Sequence, residues 1–364
     1  MTSAPAHPAR WWQALEDGRL QCNLCPRFCR LNDQQRGFCF VRRRQGETMV
    51  LDTYGRSTGF CIDPLEKKPL YHFHPGNAVL SFGTAGCNLG CRFCQNWGIS
   101  KSREVDALCQ SGAPKTLARS ARDLACKAIA FTYNDPVIFA EYAIDTAEEC
   151  RQLGVATVAV TAGYISTFAR AEFFAAMDAA NVDLKAFHPE FYRRHCLSGK
   201  DGLKEVLDTL IFVRHQTRTW LEITTLLIPG LNDSASELQR LCRWICDELG
   251  ADVPLHFTAF HPDFRMRDRH PTPASTLRLA RQIALDQGLH YVYTGNIHDP
   301  HGQSSFCPAC RALLVERDGY RILQYRLNAA GRCPDCNRPI AGVFDEKAGD
   351  WGSQRQPVWI QPDL

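Results

Sequence analysis

Three cysteines, Cys87, Cys91 and Cys94, stand at spacings of three and two residues in TAGCNLGCRFCQNWG, residues 84 to 98. Such spacing lets neighbouring thiolates converge on one metal centre. Three thiolates are one short of the set for a four-iron cube. An iron left without a protein ligand can bind and activate a small molecule, as a catalytic zinc does through its open position. A structural zinc with a fourth ligand from elsewhere in the chain is the competing reading. Two more groups bring eleven of the 18 cysteines into clusters. Cys307 and Cys310 (CPAC) and Cys333 and Cys336 (CPDC) flank a hairpin pattern, ALLVERDGY then RILQYRL, which is the layout of a closed structural zinc ribbon. Cys22, Cys25, Cys29 and Cys39 fit neither the two-knuckle zinc pattern nor the ferredoxin run. Zinc and an auxiliary iron–sulfur cluster suit their softness equally, and a cluster there would relay electrons. Cys61, Cys109, Cys126, Cys150, Cys196, Cys242 and Cys246 stand apart.

The elements that must position these groups show in the hydrophobic pattern. Between residues 78 and 294, β-branched or aromatic runs alternate with helical periodicity, the signature of repeated βα units. Strands are expected at 78–84, 128–133, 155–161, 181–186, 220–227, 254–260 and 290–294. Two helices are marked by Leu203, Val206, Leu207, Leu210 and Ile211, and by Leu238, Leu241, Cys242, Ile245 and Leu249 with Asp233 or Ser234 as cap. A parallel β/α barrel, partial or full, or a doubly wound sheet follows, and either places chemistry at the strand C-termini. Polar residues interrupt the apolar pattern there: Asn134, Asp135, Thr161, Asp183, Lys185, Thr225, His256 and Asn296.

The expected organisation is a Cys-rich metal-binding module and linker over 1–77, the barrel over 78–300, a zinc-ribbon-like module over 303–345 and a tail over 346–364. Each flank is too short for much core of its own, so a metal would supply the missing stability. With 42 Lys and Arg against 39 Asp and Glu, the net charge is +3. That balance gives no global reason to expect nucleic acid or an anionic membrane as partner. The start, MTSAPAHPARWW, has neither a basic n-region nor an apolar h-region, and no apolar run reaches the 18 or so residues of a membrane span. A cytoplasmic, reducing location is expected, which favours metal ligation over disulfides. Arg42, Arg43 and Arg44 read most simply as solvated charge, with an acidic partner as the alternative, and Arg311, Arg317, Arg321 and Arg326 of the ribbon likewise, with contact to nucleic acid or protein as theirs. DPLEKKPLYHFHPG, 63–76, should be an ordered loop ahead of the barrel. Its Lys67, Lys68, His72 and His74 are explained equally by packing, by solvation or by reach into the site.

The triplet spacing, with Phe93 just before the last cysteine, resembles the radical S-adenosylmethionine (SAM) superfamily, and within it the pyruvate formate-lyase-activating enzymes. The resemblance implies a partial (β/α)6-type barrel, a [4Fe-4S] cluster on Cys87, Cys91 and Cys94, and SAM bound at the open iron. The reduced cluster then cleaves SAM to a 5′-deoxyadenosyl radical that abstracts hydrogen from substrate. It also implies SAM-binding roles for Phe93, Asn134, Asp135, Thr161, Asp183, Lys185 and His256. FTYNDP occupies the place of the family's Gly-Gly-Glu motif, with Tyr133 and Asn134 where glycines would be and Asp135 where the acid would be. VTAGY lacks the leading aspartate of the next motif, so no monovalent-cation site is carried over. From Leu20 to Val343 the chain resembles more closely still the radical SAM enzymes of the AmmeMemoRadiSam system, through CNLCPRFC, DPLEKKPLYHFHPG, FTYNDP, VDLKAF, LLIPGLND, HFTAFHP and YTGNIHD. The expectation is a radical SAM oxidoreductase with a reductant such as flavodoxin or ferredoxin and a protein or peptide substrate. A glycyl-radical-enzyme activase is the alternative of the same class, and a non-catalytic, metal-stabilised binding module the alternative of another.

Overall fold

The computed structural model describes residues 7–103, 110–328 and 330–360. The apolar runs form strands with few exposed positions, as a parallel sheet covered by helices requires. Strand β1 is Phe60–Pro64, β2 Ala78–Phe82, β3 Ala128–Phe131, β4 Ala156–Thr161, β5 Ala179–Asp183, β6 Trp220–Leu227, β7 Leu255–Ala259 and β8 Val292–Gly295. Strands β2 to β8 lie side by side in chain order, each pair parallel. The crossovers carry α1 Pro114–Asp123, α2 Ala140–Gln152, α3 Thr167–Ala175, α4 Pro189–His195, α5 Gly202–Gln216, α6 Ala235–Leu249 and α7 Ala274–Asp286. This is the expected partial barrel with a seventh parallel strand; β8 is an edge, so the sheet stays open.

Local chemistry accounts for the helices. In α6, Leu238, Leu241, Cys242, Ile245 and Leu249 are buried on one stripe, and Ser234 caps the start by accepting from the Glu237 N–H at 3.3 Å. In α5, Leu203, Val206 and Leu210 are buried on the equivalent stripe.

The sheet also takes in segments from both flanks. Strand β1 pairs antiparallel with β2, from Phe60 opposite Phe82 to Pro64 opposite Ala78. The loop between them is the DPLEKKPLYHFHPG stretch, opening with a 3-10 turn at Leu65–Lys67. Past the ribbon hairpin, β9 Leu313–Asp318 and β10 Arg321–Tyr325, strand β11 Gln356–Val358 pairs antiparallel with β1. The β9–β10 turn is Gly319–Tyr320, and Gly319 at φ +62 supplies the positive φ that such a tight turn needs. Leu20, Leu24, Val41, Met49 and Leu51 of the N-terminal segment belong to the barrel's main core. The ribbon has a smaller core in which Leu314, Val315 and Ile340 pack with Tyr71, Tyr291 and Tyr293.

One arginine of each run departs from the expected solvated charge, while Arg311 and Arg321 are exposed. Arg42 is buried in an ion pair with Glu141 of α2, Nη1 to Oε2 at 2.7 Å. Arg317 is buried under the ribbon, donating to the Tyr71 carbonyl at 2.8 Å and to Ser305 Oγ at 3.0 Å. No helix among the described residues is long and apolar enough to cross a membrane.

Candidate active site

The loop after β2 carries the cysteine triplet, and its path is fixed by two close approaches. A Cβ on Gly83 would stand 2.3 Å from the Thr132 carbonyl oxygen, and one on Gly86, at φ +84, would stand 2.1 Å from the Cys39 carbonyl oxygen. Only glycine fits either place. Asn134, at the end of β3, holds the loop from the inside. Its Oδ1 accepts from the Thr84 N–H at 3.2 Å, and its Nδ2 donates to the Gly86 carbonyl at 2.8 Å and to Thr84 Oγ1 at 3.2 Å.

Cys87, Cys91 and Cys94 open onto a cavity of 640 Å³ at the C-terminal ends of the strands. Phe93, Asn134, Asp135, Thr161, Asp183, Lys185 and His256 all line it. Asp135 is fixed by three donors: Thr161 Oγ1 at 2.8 Å and the Val137 N–H at 3.1 Å on Oδ1, and the Ala162 N–H at 3.3 Å on Oδ2. Burial nonetheless pushes its carboxyl above the usual range. The Asn134 amide is spent on the cysteine loop, so Asp135 is the acid left to face a cationic group in the cavity. Lys185 Nζ lies 2.7 Å from Asp183 Oδ2. Burial opposes the Lys185 charge, but Asp183, together with Cys91 and Cys196, outweighs it and holds the ammonium well above its usual range. His256 Nε2 lies 2.7 Å from Glu222 Oε2 on β6. Phe93 packs on Phe191 of α4 with ring centroids 5.7 Å apart. Among the other strand-end residues, Asn296 lines the cavity, whereas Thr225 turns away and donates to the Leu184 carbonyl at 2.8 Å.

Sequence reasoning missed several groups here. The Cys196 thiol hydrogen-bonds to Cys91, and that bond, with the charges of Lys185 and Lys101, outweighs burial and brings Cys91 below the usual thiol range. Two N–H groups of the triplet loop, on Gly90 and Arg92, donate at 2.8 Å to the carbonyls of Cys196 and His195. Glu66, Tyr71 and Tyr133 also line the cavity, beside Lys67, whose reach into the site is one reading of its loop, and the ribbon tip contributes Asp318, Gly319 and Tyr320. The buried Asp63 accepts from Lys67 Nζ at 2.9 Å, Lys68 Nζ at 2.7 Å and Tyr133 Oη at 3.1 Å. Burial would raise its carboxyl, but Lys68 and Lys67 outweigh that and hold it at about 2, while burial brings Lys68 down to about 8. The DPLEKK spacing, folded over a 3-10 turn, was the available signal. Of the other loop residues, His72 and His74 take structural partners, the Ala341 carbonyl and Asp345.

At the ribbon, Cys307, Cys310, Cys333 and Cys336 present sulfurs all within 4.8 Å of one another, a closed four-thiol metal site. The N-terminal four line a separate small cavity. Cys61 accepts from Arg355 Nη2 at 3.3 Å, and Cys109 lies outside the described residues.

Residues 82–245 match the model of the radical SAM superfamily. An uncharacterized protein of Methanocaldococcus jannaschii is 36% identical over 335 residues, 91% of this chain and 98% of its own. A GTP 3′,8-cyclase of Streptomyces coelicolor is 23% identical over 88% of this chain and 96% of its own. Among solved structures, a domain of pyruvate-formate lyase-activating enzyme from Bacteroides vulgatus aligns over 46% of this chain and 99% of its own, at 17% identity and a TM-score of 0.41. The matched domain implies a [4Fe-4S] cluster and SAM, and the triplet loop facing a cavity at the strand ends fits both. With the match spanning that loop and the strands β3 to β6, the chain belongs to the radical SAM superfamily.

Proposed function

We propose that this chain is a radical SAM oxidoreductase that acts on a peptide or protein segment. The observation that supports it is the convergence of the three thiols and seven SAM-binding candidates on one cavity. When bound, the cluster and SAM supply a 5′-deoxyadenosyl radical for hydrogen abstraction. The chain's own residues position and shield that chemistry. Cys87, Cys91 and Cys94 would hold three irons and leave the fourth open. Asp135, kept in place by Thr161, would take the cationic amino group of SAM, and Lys185 its carboxylate, with Asp183 orienting the ammonium. His256, steadied by Glu222, would stand against the ribose. Tyr71, Tyr133 and Tyr320 also line the cavity and would limit water there.

A peptide substrate is favoured because part of the wall comes from outside the barrel, from Glu66 and Lys67 and from Asp318 to Tyr320 of the ribbon. The electron donor would be a flavodoxin or ferredoxin.

The decisive experiment measures 5′-deoxyadenosine formed from SAM by the anaerobically reconstituted protein with reductant, beside Cys91→Ala. Cys91-dependent product supports the reading. Its absence, despite a verified four-iron cluster and an active reductant, would favour the non-catalytic binding module. A glycyl radical detected by electron paramagnetic resonance on a partner enzyme would assign the activase instead, and turnover on small molecules alone would overturn the peptide class.

A further inference from the structure

The four N-terminal cysteines converge as the ribbon cysteines do, but with a different geometry. Cys22, Cys25, Cys29 and Cys39 line one cavity of about 20 Å³, together with Leu24, Val137 and Ile138. A Cβ on Gly37 would stand 3.7 Å from the Cys29 Sγ and 3.8 Å from the Cys39 Sγ, so the sulfurs face a common space.

In the ribbon, Cys307 and Cys336 sulfurs lie 3.5 Å apart and Cys310 and Cys333 sulfurs 3.6 Å apart. That is the contact expected of sulfurs held at about 2.3 Å from one zinc, and it leaves nothing between them. Among the described residues, the ribbon set is the one group of three or more His, Cys, Asp or Glu whose ligand atoms all fall within 4.8 Å. The N-terminal sulfurs therefore stand wider, around a space that admits a water-sized body. Cys87, Cys91 and Cys94 are wider in the same sense. A single ion does not fill such a set; an iron–sulfur core, which has volume of its own, does.

A second observation points the same way. Arg42 lines this cavity and is 1% exposed. Its Nη1 donates to Glu141 and its Nη2 to the Arg10 carbonyl at 2.6 Å, but its Nε has no acceptor. A buried N–H left without an acceptor is unfavourable. A thiolate or sulfide at the cavity would accept it, and the guanidinium charge would offset the negative charge of four thiolates.

We propose that Cys22, Cys25, Cys29 and Cys39 hold a second [4Fe-4S] cluster, with Arg42 Nε donating to one of its sulfurs. Four thiolates leave no iron open, so this cluster binds no SAM and its chemistry is one-electron transfer. The fold sets it against the triplet loop: the Cys39 carbonyl packs on Gly86, Asn88 lines the cysteine cavity, and Arg27 Nε donates to the Asn88 carbonyl. Residues on both sides of Cys87 thus touch the N-terminal site. One electron, taken from a flavodoxin- or ferredoxin-class carrier, passes from the second cluster to the first, with no bond made or broken in the transfer.

The test uses the full chain, reconstituted anaerobically, with iron, sulfide and zinc measured per chain. About eight irons and one zinc are expected, with about four irons kept by the Cys87→Ala/Cys91→Ala/Cys94→Ala variant. That variant's reduced electron paramagnetic resonance signal should be unchanged by SAM. The reduced wild-type spectrum should depart from the sum of this variant and Cys22→Ser/Cys25→Ser through spin interaction. In the latter variant, reduction of the remaining cluster by flavodoxin should slow at least tenfold while reduction by dithionite is unaffected. About four irons with two zincs in the wild type would overturn the proposal, and this measurement stands even where a variant fails to fold. A spectrum equal to the sum, or unchanged reduction by flavodoxin, would overturn the relay. Metal content does not depend on SAM turnover, so failure here and failure of the proposed activity are separable.

Discussion

His256 on β7 and Glu222 on β6 meet at 2.7 Å, Nε2 to Oε2, with both side chains buried. Glu222 also accepts the Tyr71 N–H at 3.0 Å, the His72 N–H at 2.7 Å and Trp220 Nε1 at 3.0 Å. Burial would raise its carboxyl, but His256, His72 and Trp220 outweigh that and hold it below the usual range. The carboxylate accepts, so the His256 Nε2 carries the proton. One acid therefore fixes a cavity histidine and the loop that bears Tyr71.

Glu222→Gln keeps the volume but replaces one acceptor oxygen with a donor, leaving a buried N–H without a partner. We expect a loss of about 1–3 kcal/mol in chemical denaturation. Iron per chain should stay unchanged, because the triplet is held from β3 and α4. A drop in iron per folded chain would contradict this separation.

Asp135 and Asn134 are adjacent yet do different work. Asn134→Ala removes three hydrogen bonds from the triplet loop, so reconstituted iron should fall and the loop should exchange amide hydrogen faster. Asp135→Asn leaves the loop bonds intact and removes a charge. Iron should be retained while SAM affinity falls roughly 10–100-fold, the scale of a charge-assisted hydrogen bond. Calorimetry with SAM separates the two, and equal SAM affinity in Asp135→Asn would assign the amino group elsewhere.

What the sequence disclosed and what it hid follow one physical line. Strands β2 to β8 were legible because parallel strands buried on both faces run apolar without interruption. The cysteine sets were legible because metal ligation concentrates its signal in two- and three-residue spacings. Arg42 and Arg317 were misread because their partners are remote: Glu141 lies 99 positions from Arg42, and Tyr71 lies 246 from Arg317. A local charge run carries no trace of such a partner. The same holds for Cys196, which reaches Cys91 only because α4 packs under the triplet loop.

His72 should make the ribbon's attachment sensitive to acid. The ring is buried between the barrel and the ribbon, with Nδ1 2.6 Å from the Ala341 carbonyl and Nε2 on Tyr293 Oη. Burial, against the pull of Glu222 and with the repulsion of Arg317 and His256, brings it down to about 4 from 6.5. Between these values the unfolded chain binds a proton that the native state does not. Stability from this site is therefore complete above pH 6.5 and falls as pH drops toward 4, by about 3 kcal/mol in all. Urea denaturation at pH 7.5 and pH 5 should show about 2 kcal/mol of that loss, and His72→Gln should remove most of the difference. An equal acid loss in the variant would place the titration elsewhere.

Removing the ribbon metal should open the cavity without dissolving the barrel. A four-cysteine zinc site contributes about 10–16 kcal/mol of folding free energy to a small module, as much as the whole stability of a typical domain. The ribbon core, Leu314, Val315 and Ile340 against three tyrosines, is too small to replace it. Cys310 and Cys336 are exposed, so Cys310→Ala/Cys336→Ala removes ligands without leaving a void in the main core. We expect one zinc fewer per chain, faster amide exchange across β9 and β10, and unchanged protection of β2 to β7. Because Asp318, Gly319 and Tyr320 line the cavity, the same variant should retain the triplet cluster but release more 5′-deoxyadenosine per turnover of substrate, as reductant or buffer reaching the opened site supplies the radical's hydrogen atom in place of substrate. Loss of protection throughout the barrel would show instead that Arg317, reaching from β9 to Tyr71, makes the two modules one cooperative unit.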